Sequence, residues 1–67
     1  MKVTINNVPE YIDKETLTIA DIIQMKRFTF PMIVVRVNGK PIKKEDFSNT
    51  FVNEGDNIQI IHLISGG

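Results

Sequence analysis

The chain has 67 residues, with eight basic and eight acidic side chains and a net formal charge of zero. A chain of this length builds one small hydrophobic core, and its balanced charge favours neither nucleic acid nor an anionic membrane as a partner. It has no cysteine and one histidine, which excludes a cysteine nucleophile and argues against a metal site. No apolar run is long enough for a signal peptide or a membrane span, so we expect a cytoplasmic protein.

The first segment predicts a β-hairpin. Residues 1–6 alternate apolar and polar side chains, with Val3 and Ile5 on the same face, as in a half-buried strand. The sequence Asn-Asn-Val-Pro at 6–9 predicts a turn, and residues 10–13 predict a short return strand.

The next segment predicts one amphipathic helix. Apolar residues between 16 and 26 recur at helical spacing, and Thr18 with Asp21 three residues later indicates a capping box. The side chains expected to face the sheet are Leu17, Ile19, Ile22 and Ile23. Those expected to form an apolar return loop are Phe28, Phe30 and Pro31.

The second half predicts three further strands. Residues 33–38 are rich in β-branched side chains, and Asn38-Gly39 is a strong signal for a tight hairpin turn into a strand at 40–42. A brief helical turn or loop at 43–47 and a turn at 53–56 precede the last strand. That strand starts at Ile58 and is followed by Ser65, Gly66 and Gly67, for which we expect a flexible tail after a single domain of residues 1–64.

Two glycines at the end of the chain suit insertion into another protein's active site. Gly66 and Gly67 have no Cβ, so they fit a slot too narrow for other residues. The terminal carboxylate is a poor electrophile until a partner enzyme activates it. The alternative interpretation is a frayed or trimmed terminus.

The order of elements predicts an α+β fold of the β-grasp type. One mixed sheet of four to five strands would carry one helix across one face, with the first and last strands as parallel neighbours in the centre. Strand alternation places Val34, Arg36, Ile61 and Leu63 on the outer face, beside the tail. This patch is either a docking surface or ordinary β propensity on a solvated face. His62 has the inward parity, and we expect a packed or edge histidine.

The sequence resembles the ThiS family of sulfur carriers of thiamine biosynthesis, which have the ubiquitin-like β-grasp fold. The resemblance rests on the Glu-Gly-Asp turn at 54–56, the run from Gly55 to Ile64, the Val-Asn-Gly turn at 37–39 and the terminal Ser-Gly-Gly. The turn at 7–10 is longer than in many members, and Lys40 stands where an acidic residue is common. These departures affect loops, and therefore partner choice more than the fold.

The resemblance implies a protein substrate and not an enzyme. An adenylyltransferase related to ubiquitin-activating enzymes would use ATP to adenylate Gly67, and a persulfide sulfur donor would convert it to a thiocarboxylate for thiazole synthase. Gly66 and Ser65 would form the inserted tail, with no bound cofactor. The alternatives are a carrier like the small subunit of molybdopterin synthase and a ubiquitin-like modifier or binding module.

Overall fold

The computed structural model describes residues 1–28 and 32–63, and five strands in this part of the chain form one mixed sheet. The elements in chain order are β1 (Lys2–Ile5), β2 (Val8–Tyr11), α1 (Ile19–Met25), β3 (Ile33–Val37), β4 (Lys40–Ile42), a short 3-10 helix (Lys44–Asp46) and β5 (Asn57–His62). The spatial order is β2-β1-β5-β3-β4, so β5 is the central strand. It runs parallel to β1 and antiparallel to β3, which confirms the predicted central position of the first and last strands.

The first hairpin turns earlier than the sequence predicted. Asn6 and Asn7 both have positive φ, at 51° and 68°, and together they form the two-residue turn between β1 and β2. The prediction of a turn at 6–9 and a return strand at 10–13 was therefore wrong by two residues. Pro9 lies within β2 because this strand is at the edge of the sheet, where a missing N–H donor is tolerated.

The predictions that rested on turn chemistry in the second half are confirmed. Asn38 and Gly39 have φ of 52° and 83°, as a tight turn between β3 and β4 requires. The brief helical turn is the 3-10 helix, and the turn at 53–56 contains Gly55 with a φ of 85°.

Helix α1 begins with the predicted capping box. The Thr18 hydroxyl accepts a hydrogen bond from the Asp21 N–H at 3.1 Å, and the Asp21 carboxylate accepts one from the Thr18 N–H at 3.0 Å. These bonds from Thr18, together with the nearby Lys14 charge, lower the pKa of Asp21 from its ordinary value. At the other end, Lys26 forms an ion pair with Glu10 of β2, which attaches the helix to the sheet edge.

The core lies between α1 and one face of the sheet. Leu17, Ile19 and Ile22 are fully buried, as predicted, and Ile23 and Phe28 are partly buried against them. The sheet and loops contribute Val3, Ile5, Ile12, Val35, Phe47, Val52, Ile58 and Ile60. Phe30 and Pro31, predicted in the return loop, lie outside the described residues. The fold is the ubiquitin-like β-grasp, as the sequence predicted.

Candidate functional site

The predicted tail follows the central strand of the sheet. Ser65, Gly66 and Gly67 lie outside the described residues, and their roles remain predictions. The strand that leads to them is β5, which lies between β1 and β3 and ends at His62. The last described residue, Leu63, therefore directly follows the central strand of the sheet.

The structure brings three of the four predicted docking residues together on the outer face. Val34 lies directly opposite Ile61 in the antiparallel pairing of β3 with β5, and Arg36 lies opposite Gln59, two positions further along. Side chains in directly opposite positions are about 4.5–5.5 Å apart at Cβ. We call Val34, Arg36 and Ile61 the outer patch.

Burial of the neighbouring residues confirms the face that alternation assigned to the outer patch. Val35 and Ile60 point into the core, with relative exposures of 0% and 6%. Their neighbours Val34 and Ile61 therefore point to the opposite face. Ile61 is 42% exposed, Arg36 is exposed, and Val34 is half-buried. The patch thus offers apolar surface beside a cationic side chain, while its docking role remains a prediction.

Leu63, the fourth predicted docking residue, lies just beyond β5. It follows the last residue of β5, and its N–H donates to the carbonyl of Met32 at 3.0 Å. Leu63 is 47% exposed and is one of the residues that line a depression together with Phe28 and Phe47, which belong to the helix side of the sheet.

Side chains from two turns hold the start of β5 in place. The Asn38 side-chain amide donates to the Asp56 carboxylate at 3.0 Å, and its oxygen accepts from the Asn57 N–H at 2.9 Å. The other Asp56 carboxylate oxygen accepts from the Asn53 N–H at 2.8 Å. The turn residues Asn38 and Asp56, predicted from their turn chemistry alone, therefore also link β3 to β5.

Asn6 supports β5 further along, and the sequence did not predict this role. Its side-chain oxygen accepts from the Ile60 N–H at 2.8 Å, and its own N–H donates to the Ile58 carbonyl at 2.9 Å. Asn6 lies just after β1 ends, so its side chain continues the pairing with β5 where the backbone has turned away. The one signal available in the sequence was an asparagine in the predicted turn directly after a predicted strand.

The described residues contain no metal cluster and no membrane-spanning helix. Within residues 1–28 and 32–63, no group of three or more His, Cys, Asp or Glu side chains is placed to hold a metal ion. No helix in those ranges is long and apolar enough to cross a membrane. His62, of inward parity, lies opposite Ile33 in the register and is exposed.

The comparisons with known proteins agree with the observed fold, and the family match also covers the terminal residues. The model of the ThiS family matches residues 3–67. The crystal structure of the thiamine biosynthesis protein ThiS from Geobacter metallireducens superimposes with a TM-score of 0.88, at 26% sequence identity, over 100% of both chains. An NMR solution structure of a thiamine biosynthesis protein from the same organism gives a TM-score of 0.81 at 26% identity, over 100% of this chain and 88% of that one. None of the curated protein sequences is significantly similar.

The match to the family model includes both the β5 strand and the terminal glycines. It spans far more than half of the chain, and the structural similarity covers the same length. The chain therefore belongs to the ThiS family.

Proposed function

We propose that this chain carries sulfur for the thiazole ring of thiamine and that Gly67 is the residue that holds the sulfur. The observation that supports this proposal is the family match, which runs through Gly67 itself. As a member of the ThiS family, the chain is a small sulfur carrier protein of thiamine biosynthesis. It is accordingly a substrate on which other enzymes act.

The proposed chemistry takes place on the terminal carboxylate of Gly67. The carboxylate attacks the α-phosphorus of ATP on an adenylyltransferase related to ubiquitin-activating enzymes, and pyrophosphate leaves. A persulfide sulfur of a donor protein then attacks the acyl carbon and displaces AMP. A thiol of the enzymes cleaves the resulting S–S bond and forms a disulfide, which leaves the thiocarboxylate on Gly67. Thiazole synthase takes its sulfur from this group.

No side chain of this chain needs to take part in those bond changes. The sequence has no cysteine, so the sulfur donor must come from another protein. Gly66 and Ser65 would occupy the narrow approach to the partner's active site. Gly66 suits its narrowest part, because a glycine avoids the steric cost of a side chain. ATP binds to the activating partner and not to the carrier. We place this chemistry in the cytoplasm.

Docking would use the outer patch. Val34 and Ile61 are adjacent apolar side chains on β3 and β5, and Arg36 adds a positive charge on the same face. Apolar surface with a charged rim is typical of protein interfaces, and here it borders the strand that presents Gly67.

Intact mass spectrometry tests the proposal. The purified chain is incubated with ATP, a persulfide donor and the adenylyltransferase, and the product is digested to localise any change. We expect one oxygen to be replaced by sulfur at Gly67. A chain that stays unmodified under conditions that thiolate an established carrier would contradict the proposal.

One variant and two further assays separate this function from its alternatives. A chain with one alanine added after Gly67 should unfold at the same temperature and gain no sulfur; sulfur gain by that variant would contradict the assignment to Gly67. A ubiquitin-like modifier would instead form isopeptide adducts with lysine in a cell lysate. Sulfur transfer from the thiolated chain to the thiazole product, with no lysine adduct, distinguishes the carrier.

A further inference from the structure

A second apolar surface lies on the helix side of the sheet. It has two adjoining depressions, of about 400 Å³ and about 430 Å³, which share Ile23, Phe28 and Phe47. The first is completed by Met32, Ile33, Lys44 and Leu63, and the second by Ala20, Gln24 and Arg27. We call this continuous surface the helix-side groove.

The helix-side groove and the outer patch lie on opposite faces of the sheet. Phe47 belongs to the core cluster, and Ile33, Ile23 and Phe28 pack against that cluster, so they are on the side of α1. Ile61 points to the other face, because its neighbour Ile60 is buried in the core. A protein bound in the groove would therefore leave the outer patch accessible.

The charges of the lining point to an acidic ligand. Lys44 and Arg27 are the two charged residues among the described residues that line the groove, and both are exposed. Among residues 1–28 and 32–63, no carboxylate is part of the lining of either depression. Cationic groups at the edge of an apolar surface favour a ligand that has apolar anchors and acidic flanks.

The architecture favours a helix over a strand as the ligand. Strand β3, which supplies Ile33 to the lining, is already paired with β4 on one side and β5 on the other. It therefore offers no open edge for an added strand. Two adjoining apolar depressions suit two apolar anchors of an amphipathic helix bound in a groove.

We propose that the helix-side groove binds an acidic amphipathic helix of a partner protein. Its apolar side chains fill the two depressions, and its carboxylates face Lys44 and Arg27. This function goes beyond the chemistry of the tail, because the carrier then holds one protein on its helix side while another docks on the outer patch.

The test uses the full chain labelled with 15N and a synthetic peptide as the probe. The peptide contains only Leu, Phe, Ala and Glu, with the apolar residues at helical spacing and Glu on both flanks. We expect saturable changes in the amide resonances of Ile23, Phe28 and Phe47 and none at Val34 or Ile61. A matched peptide with Lys in place of Glu should bind about tenfold more weakly, because attraction at two exposed sites becomes repulsion.

A charge reversal on the protein provides the matched control. The double variant Arg27→Glu, Lys44→Glu should reverse the preference and bind the Lys peptide more tightly. Both substitutions are at exposed positions, so thermal unfolding checks that the fold is unchanged. Equal affinity for the two peptides, or resonance changes centred on the outer patch, would overturn the proposal.

Two other occupants would also overturn it, and each has its own signature. If removal of residues 64–67 makes the chain bind the Glu peptide more tightly, the tail of the chain itself occupies the groove. If those resonances shift with protein concentration, a second copy does. Sulfur loading of Gly67 is measured separately by intact mass, so failure of the groove proposal is distinguishable from failure of the carrier function.

Discussion

Replacement of Ile61 measures directly what the outer patch contributes to docking. Full burial of an isoleucine side chain is worth about 1.5–3 kcal/mol. Ile61 is 42% exposed in the isolated chain, so burying this exposed part on docking contributes about 0.6–1.3 kcal/mol. Ile61→Ala should therefore weaken the complex with the adenylyltransferase roughly three- to ninefold. Ile61→Asp should weaken it further, because docking would then bury a carboxylate.

The assay is isothermal titration calorimetry of each variant with the adenylyltransferase, alongside thermal unfolding of the carrier alone. Tyr11→Asp is the matched control, since Tyr11 is 79% exposed and lies on the edge strand β2, away from β3. We expect this control to bind like the parent chain. An unchanged affinity for Ile61→Asp would remove Ile61 from the interface, and an equal loss for Tyr11→Asp would show that the effect is not specific to the patch.

Three predictions concern the stability of the fold. Thr18→Ala removes the helix cap and should cost about 1 kcal/mol, a fall in Tm of about 4–8 °C in thermal unfolding. Because the folded pKa of Asp21 is lowered, its stabilising effect is present above its ordinary pKa and is lost as pH falls through the folded value. The stability difference between the parent chain and Asp21→Asn, measured by urea unfolding, should therefore shrink in acid; a difference independent of pH would contradict this. Ile58→Ala leaves a cavity at a fully buried position and should cost about 2–5 kcal/mol by the same urea method.

Local signals in the sequence were sufficient to predict most of the fold. The Asn38–Gly39 turn requires positive φ at both positions, and the capping box requires two residue types three positions apart, so each is specified by neighbouring residues. Alternation of side chains assigned faces correctly along β3 and through Ile61 of β5. These features depend on backbone conformations that particular residue types favour locally, so the sequence predicts them directly.

Features that depend on tertiary contacts were not predictable in the same way. Asn6 and Asn7 were recognised as turn residues, but the start of β2 at Val8 depends on its pairing with Ile5. Phe47 and Val52 enter the core from an irregular segment that has no periodic pattern. The helix-side groove brings Leu63 near Phe28 and Phe47, which are distant in sequence, so no local signal marks it.

The hydrogen bond from Ile60 to Asn6 connects the fold to the proposed function, because β5 must stay in place while a partner acts on the residues beyond it. Asn6→Gly keeps the left-handed turn, removes the acceptor of the partly buried Ile60 N–H, and should cost about 1–3 kcal/mol. Asn7→Gly is the matched control, since it changes the same turn without removing that acceptor. Hydrogen exchange at the Ile60 amide should accelerate in Asn6→Gly alone. Equal exchange rates in the two glycine variants would show that the backbone of β5 is held by its pairing with β3, and that the Asn6 side chain adds nothing.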